Sequence, residues 1–288
     1  AARGYGGGPA VAAAPLEEAS ARIAQVGPKC AAYVEAIYAE LAASRGKLGE
    51  RRDAWQRAVR HLLRAGDIRL AASIENNLAD LYNRVGMYAE AEAALEKAIE
   101  RGRQLGYRLL EGYASANLGY ARMRSGDRER ARAALADAAR IAVEAKDPRL
   151  ELAARLYVAR LEGSYAAAVA VAERADALEQ PSTRAAADVV AGWAALAAGA
   201  LAEADACSLR ALRVRDTLGG LEEDEAEVFL LRASVLEAAG RVEEAGAVRA
   251  RGVARLDEVA AGIDEPEWRR RFLDDVDAHR RLRAHPPA

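Results

Sequence analysis

The side chains with most capacity for chemistry in this sequence recur at fixed distances from a set of glycines. Gly86, Gly126, Gly163, Gly199 and Gly240 follow one another at intervals of 40, 37, 36 and 41 residues. Two residues before the first two stand Arg84 and Arg124, and Arg160 lies close to the third. An arginine fork can hold a carboxylate or a phosphate bidentately. It also suits the last turn of a helix, where the macrodipole favours a cation. Nine residues before the glycine come Asn77 and Asn117, with Asn76 and Asn83 nearby. A side-chain amide offers both a donor and an acceptor, so it can pair with the N–H and the C=O of an extended peptide. The same amide can instead tie one helix to the next. Six residues before the glycine the column reads Asp80, Tyr120, Tyr157, Trp193, Ser234. Three consecutive units thus place a ring at one position, in a chain with only 10 Tyr, 3 Trp and 2 Phe. Such rings are either binding anchors with a polar handle or packing between neighbouring helices. Together the columns describe a surface that is polar and cationic near Gly86 and Gly126 and aromatic toward Gly199.

Other chemistry is not encoded. The phosphate-cradling GxxxxGK[ST] loop, HExxH and CxxC do not occur in the sequence. His61, His279 and His285 form no ligand-spaced cluster, and Gly4, Gly6, Gly7 and Gly8 have no strand before them that would make a nucleotide loop. The carboxylates read as solvated helix faces rather than acid–base pairs. The expectation is a non-enzyme without cofactor or metal. Cys30 and Cys207 are too few for a disulfide framework and read as small buried apolar residues, which fits a reducing, cytoplasmic setting.

The elements that position these columns must be helices. Ala, Leu, Glu and Arg dominate, and they lose little rotamer freedom in a helix. Charged residues make up 30% of the chain yet the net charge is only -2, so acid and base are interspersed and no basic footprint for nucleic acid arises. No apolar run reaches the 18 residues of a membrane span. Residues 1–15 are rich in Gly and Ala and read as a flexible linker, residues 16–262 as the repeat domain, and residues 263–288 as a capping helix and tail. The sequence opens on Ala1, which suggests a piece cut from a longer protein at a domain boundary.

Small residues keep a register with the glycines. Five positions after each stands Ala91, Ala131, Ala168, Ala204 or Ala245, and twelve after stands Ala98, Ala138, Ala175, Ala211 or Gly252. Seven before, four of the five are small: Ala79, Gly119, Gly192 and Ala233, with Leu156 the exception. A weaker copy contains Ala39, Gly46, Trp55 and Ala58, with Arg51 where an alanine should stand. Each unit therefore reads as helix, tight turn, helix. Glycine ends the first helix because it alone takes a left-handed conformation cheaply. Small residues on facing sides let the two backbones approach, with Leu78, Leu95, Leu118 and Leu135 filling the rest. One such unit cannot bury its apolar face alone, so neighbours stack into a superhelix. The prediction is an all-α solenoid of about six helix-turn-helix units. In the terminal run, Trp268, Phe272, Leu273 and Val276 share a side and make a cap.

These residues resemble the tetratricopeptide repeat family, most closely in Asn77-Leu78-Ala79-Asp80-Leu81-Tyr82 through Gly86, Tyr88, Ala91, Leu95 and Ala98. The longer period is similar to that of kinesin light chains and of the C-terminal regions of bacterial signalling ATPases. The resemblance spans about residues 29 to 262, although Arg122 and Ala195 stand where the tyrosine of Tyr82 would recur. It implies that first helices line a concave face, with Asn76, Asn77, Asp80, Asn83, Arg84, Asn117, Tyr120, Arg124, Tyr157, Arg160 and Trp193 on it. It implies a protein or peptide partner, or other domains of the same polypeptide, and a role as the C-terminal sensor or docking part of a bacterial signalling protein. A small-molecule effector in the aromatic groove is the alternative, and a plain architectural spacer a third reading.

Overall fold

The computed structural model describes residues 27–45, 47–221 and 223–284. The first fifteen residues, Gly46 of the weakest repeat and His285 lie outside them. Among the described residues there are fourteen helices and no strand. They pair as α1 (Pro28–Ser44) with α2 (Leu48–Arg64), α3 (Ile68–Arg84) with α4 (Tyr88–Gln104), α5 (Arg108–Arg124) with α6 (Arg128–Ala145), and α7 (Pro148–Glu162) with α8 (Tyr165–Ala177). The series continues with α9 (Pro181–Ala197) and α10 (Leu201–Leu218), then α11 (Glu225–Ala238) and α12 (Val242–Ala261), and ends in two short helices, α13 (Pro266–Asp274) and α14 (Asp277–Arg283). The six pairs are the predicted units.

Local signals explain the boundaries. Gly86, Gly126, Gly163, Gly199 and Gly240 all have φ between 65° and 91°, the left-handed region that terminates the first helix of each unit. The N–H after the glycine then returns to the last turn, as from Met87 to the Tyr82 carbonyl at 2.9 Å. Starts are marked by Asp67, Asp127, Asp147 and Ser164, each accepting a backbone N–H of the first turn, and by proline at the head of α1, α7, α9 and α13.

The small-residue columns are buried throughout. At Gly119 a Cβ would sit 2.5 Å from Leu135 Cδ2, so α5 and α6 touch there without room for a methyl group. Gly192 faces Leu231 as closely, and Gly252 faces both Leu282 and Phe229. In the first unit, Arg51 takes the alanine position by lying over Trp55, 4.2 Å from the ring centroid, with Glu40 at 3.5 Å.

Two expectations need correction. Cys30 is exposed, on a face of α1 that no described element covers, and only Cys207 is buried. The cap is two helices rather than one. Val276 is extended between them, with ψ 113°, which lets Trp268 and Phe272 bury in one direction and Ala278 and Leu282 in another.

That break closes the molecule. One apolar core holds Trp55, Leu62 and Leu81 of α2 and α3 together with Phe229, Leu231, Trp268, Phe272 and Leu282 of the last four helices. Trp268 meets Tyr82 edge-on with centroids 5.6 Å apart, under the Arg52 guanidinium, which also pairs with Glu265. Arg271 reaches Glu90 at 3.2 Å, and Asp275 packs on Gly86. The superhelix winds until its last helices lie across its first ones.

Candidate partner-binding face

The first helix of each unit ends on the inner side of this closed superhelix, and that geometry gathers the sequence columns. α3 supplies Asp80, Asn83 and Arg84; α5 supplies Tyr120 and Arg124; α7 supplies Tyr157 and Arg160; α9 supplies Trp193. Asp80, Asn83, Arg84, Tyr120, Arg124 and Tyr157 line one interior cavity of about 140 Å³. Its opposite wall is Phe272, Val276, Ala278 and His279 from the terminal helices, with Glu223, Asp224 and Glu227 at the head of α11.

Those three acids meet the arginine column. Arg84 binds Asp80 and Glu223, each at 3.3 Å. Arg124 donates to Glu227 at 3.2 Å. Arg160 grips Asp224 through both terminal nitrogens, at 3.0 and 2.5 Å, and stands 3.8 Å from Glu227. The second oxygen of Glu227 accepts from Trp193 Nε1 at 3.1 Å, and Arg281 lies over the same indole. The arginine side chains are only 11–15% exposed. Guanidinium groups so far from water require close anions, because an unpaired buried charge costs several kcal/mol.

The aromatic column divides. Tyr120 and Tyr157 stack obliquely at 5.1 Å, and Tyr157 is built into the core of the middle units. Burial pushes both phenol groups well above their ordinary range, so neither ionises near neutrality. Trp193 instead presents its N–H to the acids. The asparagines divide as well. Asn77 is exposed and Asn117 half-buried. Asn76 and Asn83 are buried, and Asn83 Nδ2 donates to the Asn117 carbonyl at 3.2 Å, a helix-to-helix bond inside the solenoid. The carbonyl oxygens of both side chains have no hydrogen-bond partner among the described residues.

Sequence reasoning missed the acids and the histidine. The run 221–227, Leu-Glu-Glu-Asp-Glu-Ala-Glu, looks like an ordinary solvated helix start. Its complementarity to Arg84 and Arg124 at one equivalent position, with Arg160 beside it, was the signal available. His279 was set aside for want of a metal cluster, yet it sits in the cavity wall. Its Nδ1–H donates to the Phe272 carbonyl at 2.6 Å, and burial lowers its pKa to about 4. No group of three His, Cys, Asp or Glu side chains among the described residues could hold a metal ion, and no helix there is long and apolar enough to cross a membrane.

A closed array of paired helices with glycine-terminated first helices defines a helical-repeat solenoid. Comparison assigns the repeat over part of the chain: residues 70–144, essentially α3 through α6, match the tetratricopeptide repeat family model, so those four helices are tetratricopeptide repeats. Among solved structures, a Rap protein complexed with Competence and Sporulation Factor aligns with 94% of this chain and 80% of its own, at TM-score 0.66 and 12% identity. BtubC (BKLC) from P. vanneervenii aligns with 74% of this chain and 91% of its own, at TM-score 0.52 and 21% identity. A Signal Transduction ATPase with Numerous Domains from Pyrococcus horikoshii, with a tetratricopeptide repeat sensor, covers 88% of this chain, which spans 39% of that protein, at TM-score 0.56 and 14% identity. At these identities the likeness is one of fold. Curated protein sequences give no significant match.

Proposed function

We propose that the chain is a non-catalytic interaction module that takes a peptide or protein partner on its inner, concave face. In this reading it serves as the C-terminal sensor or docking part of a larger bacterial signalling protein, in the cytoplasm. Residues 16–262 are then the repeat domain, residues 1–15 its tether and the terminal helices its cap. The observation that carries the proposal is the convergence of side chains from α3, α5, α7 and α9 on one cationic and aromatic surface. Arginine, tyrosine and tryptophan are the residue types that dominate binding energy at interfaces. The fold neighbours support the same direction: the Rap protein is complexed with Competence and Sporulation Factor, and the tetratricopeptide repeat of the Pyrococcus horikoshii ATPase is a sensor.

Capture from the native host's lysate tests this. The wild-type chain is compared with an Asn77→Ala/Asn117→Ala/Tyr120→Ala variant whose helical circular dichroism is intact. A protein retained by the first and lost by the second supports the concave face. Equal retention moves the site to the outer face or the terminal helices.

One observation favours a second reading, a small-molecule effector. The cavity is enclosed by the terminal helices and, at about 140 Å³, matches the size that takes a benzene-scale ligand. A thermal-shift screen that finds a stabilising metabolite whose effect disappears in Tyr157→Ala would establish it.

A further inference from the structure

We infer that segment 223–227 is a resident acidic ligand of the concave face, and that a partner peptide carrying its own run of carboxylates takes the same arginines in exchange for it. The inference rests on the concave-face reading above and specifies the chemistry of the partner.

The segment is engaged as a bound peptide would be. Glu223 meets Arg84 of the second unit, Asp224 meets Arg160 of the fourth, and Glu227 meets Arg124 of the third and Trp193 of the fifth. Five residues of chain therefore touch four successive units. The arginines that receive them are largely removed from water. A neutral or basic peptide that lifted the segment away would leave these cations buried without anions, which is strongly unfavourable. An acidic peptide replaces like with like, so charge complementarity selects it.

Two features make the occupant exchangeable. Asp224 is held at φ 58°, one of three non-glycine residues with positive φ among the described residues. Aspartate tolerates that conformation better than most side chains, but it is still sparsely populated. The left-handed residue sits where the carboxylate must turn inward to face both nitrogens of Arg160. Glu223, at the other end, keeps 51% of its side chain exposed, so an entering carboxylate can reach Arg84 from solvent. Beyond the segment, Val228, Phe229 and Leu231 are buried in the core and anchor the helix. Exchange then requires the first turn of α11 to unwind, parting Glu225 from Arg215 and Arg255 and lifting the buried Ala226, while the helix from Val228 onward stays in place.

The probe is an acetylated, amidated peptide with the chain's own sequence 221–228, LEEDEAEV, beside a neutral control, LQQNQAQV. Titration calorimetry compares the wild type with Glu223→Gln/Asp224→Asn/Glu227→Gln. The neutralised variant is expected to bind the acidic peptide at least tenfold more tightly than the wild type and to ignore the control. Adding Arg124→Gln and Arg160→Gln should abolish that binding. Should the neutralised variant not fold, hydrogen–deuterium exchange on the wild type decides alone. Excess acidic peptide should speed exchange of amides 224–228 tenfold or more while amides of 229–238 keep their protection. Equal affinity for wild type and variant, equal response to both peptides, or no binding and no change in exchange at millimolar acidic peptide overturns the inference. If that happens while capture on the concave face holds, the interaction module stands and only its acidic partner class is removed.

Discussion

Replacing Arg160 by methionine removes the most buried of the three arginines that meet the acids while keeping most of its volume. In the wild type the guanidinium makes two bonds to Asp224, at 3.0 and 2.5 Å, and the two side chains are 11% and 10% exposed. After substitution Asp224 keeps its charge and loses its partner, whereas Glu227 retains Arg124 and Trp193. Breaking a buried pair from one side costs about 3–5 kcal/mol, most of it the desolvation of the group left behind. The exposed pair Arg140–Glu144, half accessible on both sides, is the internal control, and Arg140→Met there should cost less than about 1 kcal/mol. Asp224→Asn keeps a side chain that tolerates φ 58° and removes only the charge, so it closes a double-mutant cycle with Arg160→Met. The double variant should recover part of the loss, with a coupling of about 1–3 kcal/mol, because it leaves no lone charge inside. Urea melts followed by circular dichroism at 222 nm give the values. An Arg160→Met cost no larger than that of Arg140→Met, or a double variant that is simply additive, would show that the inner face is wet and the network is not what holds the last unit across the groove.

Further outcomes follow from the same structure. Ala91→Leu should cost about 1–3 kcal/mol by overpacking the second unit, since Ala91 is fully buried, and an unchanged melting temperature would show a wrong repeat frame. Gly119→Ala should destabilise despite the better helix propensity of alanine, because the added methyl meets Leu135 at 2.5 Å, and calorimetry showing stabilisation would contradict the close approach of α5 and α6. Trp268→Ala should cost about 3–5 kcal/mol and loosen the second unit and the terminal cap together, seen as loss of exchange protection in α3 as well as α13. His279 titrates near 6.5 in the unfolded chain and near 4 when folded, so the unfolded chain binds more protons between those values. Stability therefore falls as pH drops from about 6.5 toward 4, by on the order of 3 kcal/mol for this group, and is fully present above pH 6.5. His279→Gln should flatten that part of the pH profile, and an unaltered slope would remove the histidine as its source.

The fold was legible because the repeat is written in one-residue terms. A glycine at positive φ and alanines at five and twelve residues beyond it carry the geometry of each unit, and these survive in the sequence without any knowledge of what they touch. The inner-face columns were legible for the same reason: equivalent positions in stacked units share a side. What could not be read was long-range. Arg84 and Glu223, or Arg52 and Glu265, lie far apart in sequence, and nothing local links them. The column arithmetic also leaves a tyrosine's partner undetermined, so Tyr157 reads as binding anchor or core equally well until its burial is known. Asn83 shows the same limit, since its amide is spent on the Asn117 carbonyl. Cys30 was misread because burial on one helix depends on whether a neighbour covers that face, which composition does not show.

The central claim is that the superhelix closes on itself, so that its concave face is held by its own C-terminal third. Gly86 and Asp275 make the most direct probe: a Cβ on the glycine would lie 3.0 Å from that of the aspartate, although the residues belong to the second unit and the terminal cap. Gly86→Cys/Asp275→Cys, in a Cys30→Ser/Cys207→Ala background and beside Gly86→Cys alone as the control for a side chain at φ 78°, should form an intramolecular disulfide under mild oxidation in the folded protein, near the 3.5–4.5 Å Cβ separation such a bond accepts after a small shift. A compact, faster-migrating monomer on non-reducing electrophoresis is the predicted result. A folded protein whose two thiols stay free under the same conditions would contradict closure, and with it the acidic segment's place on the arginine column.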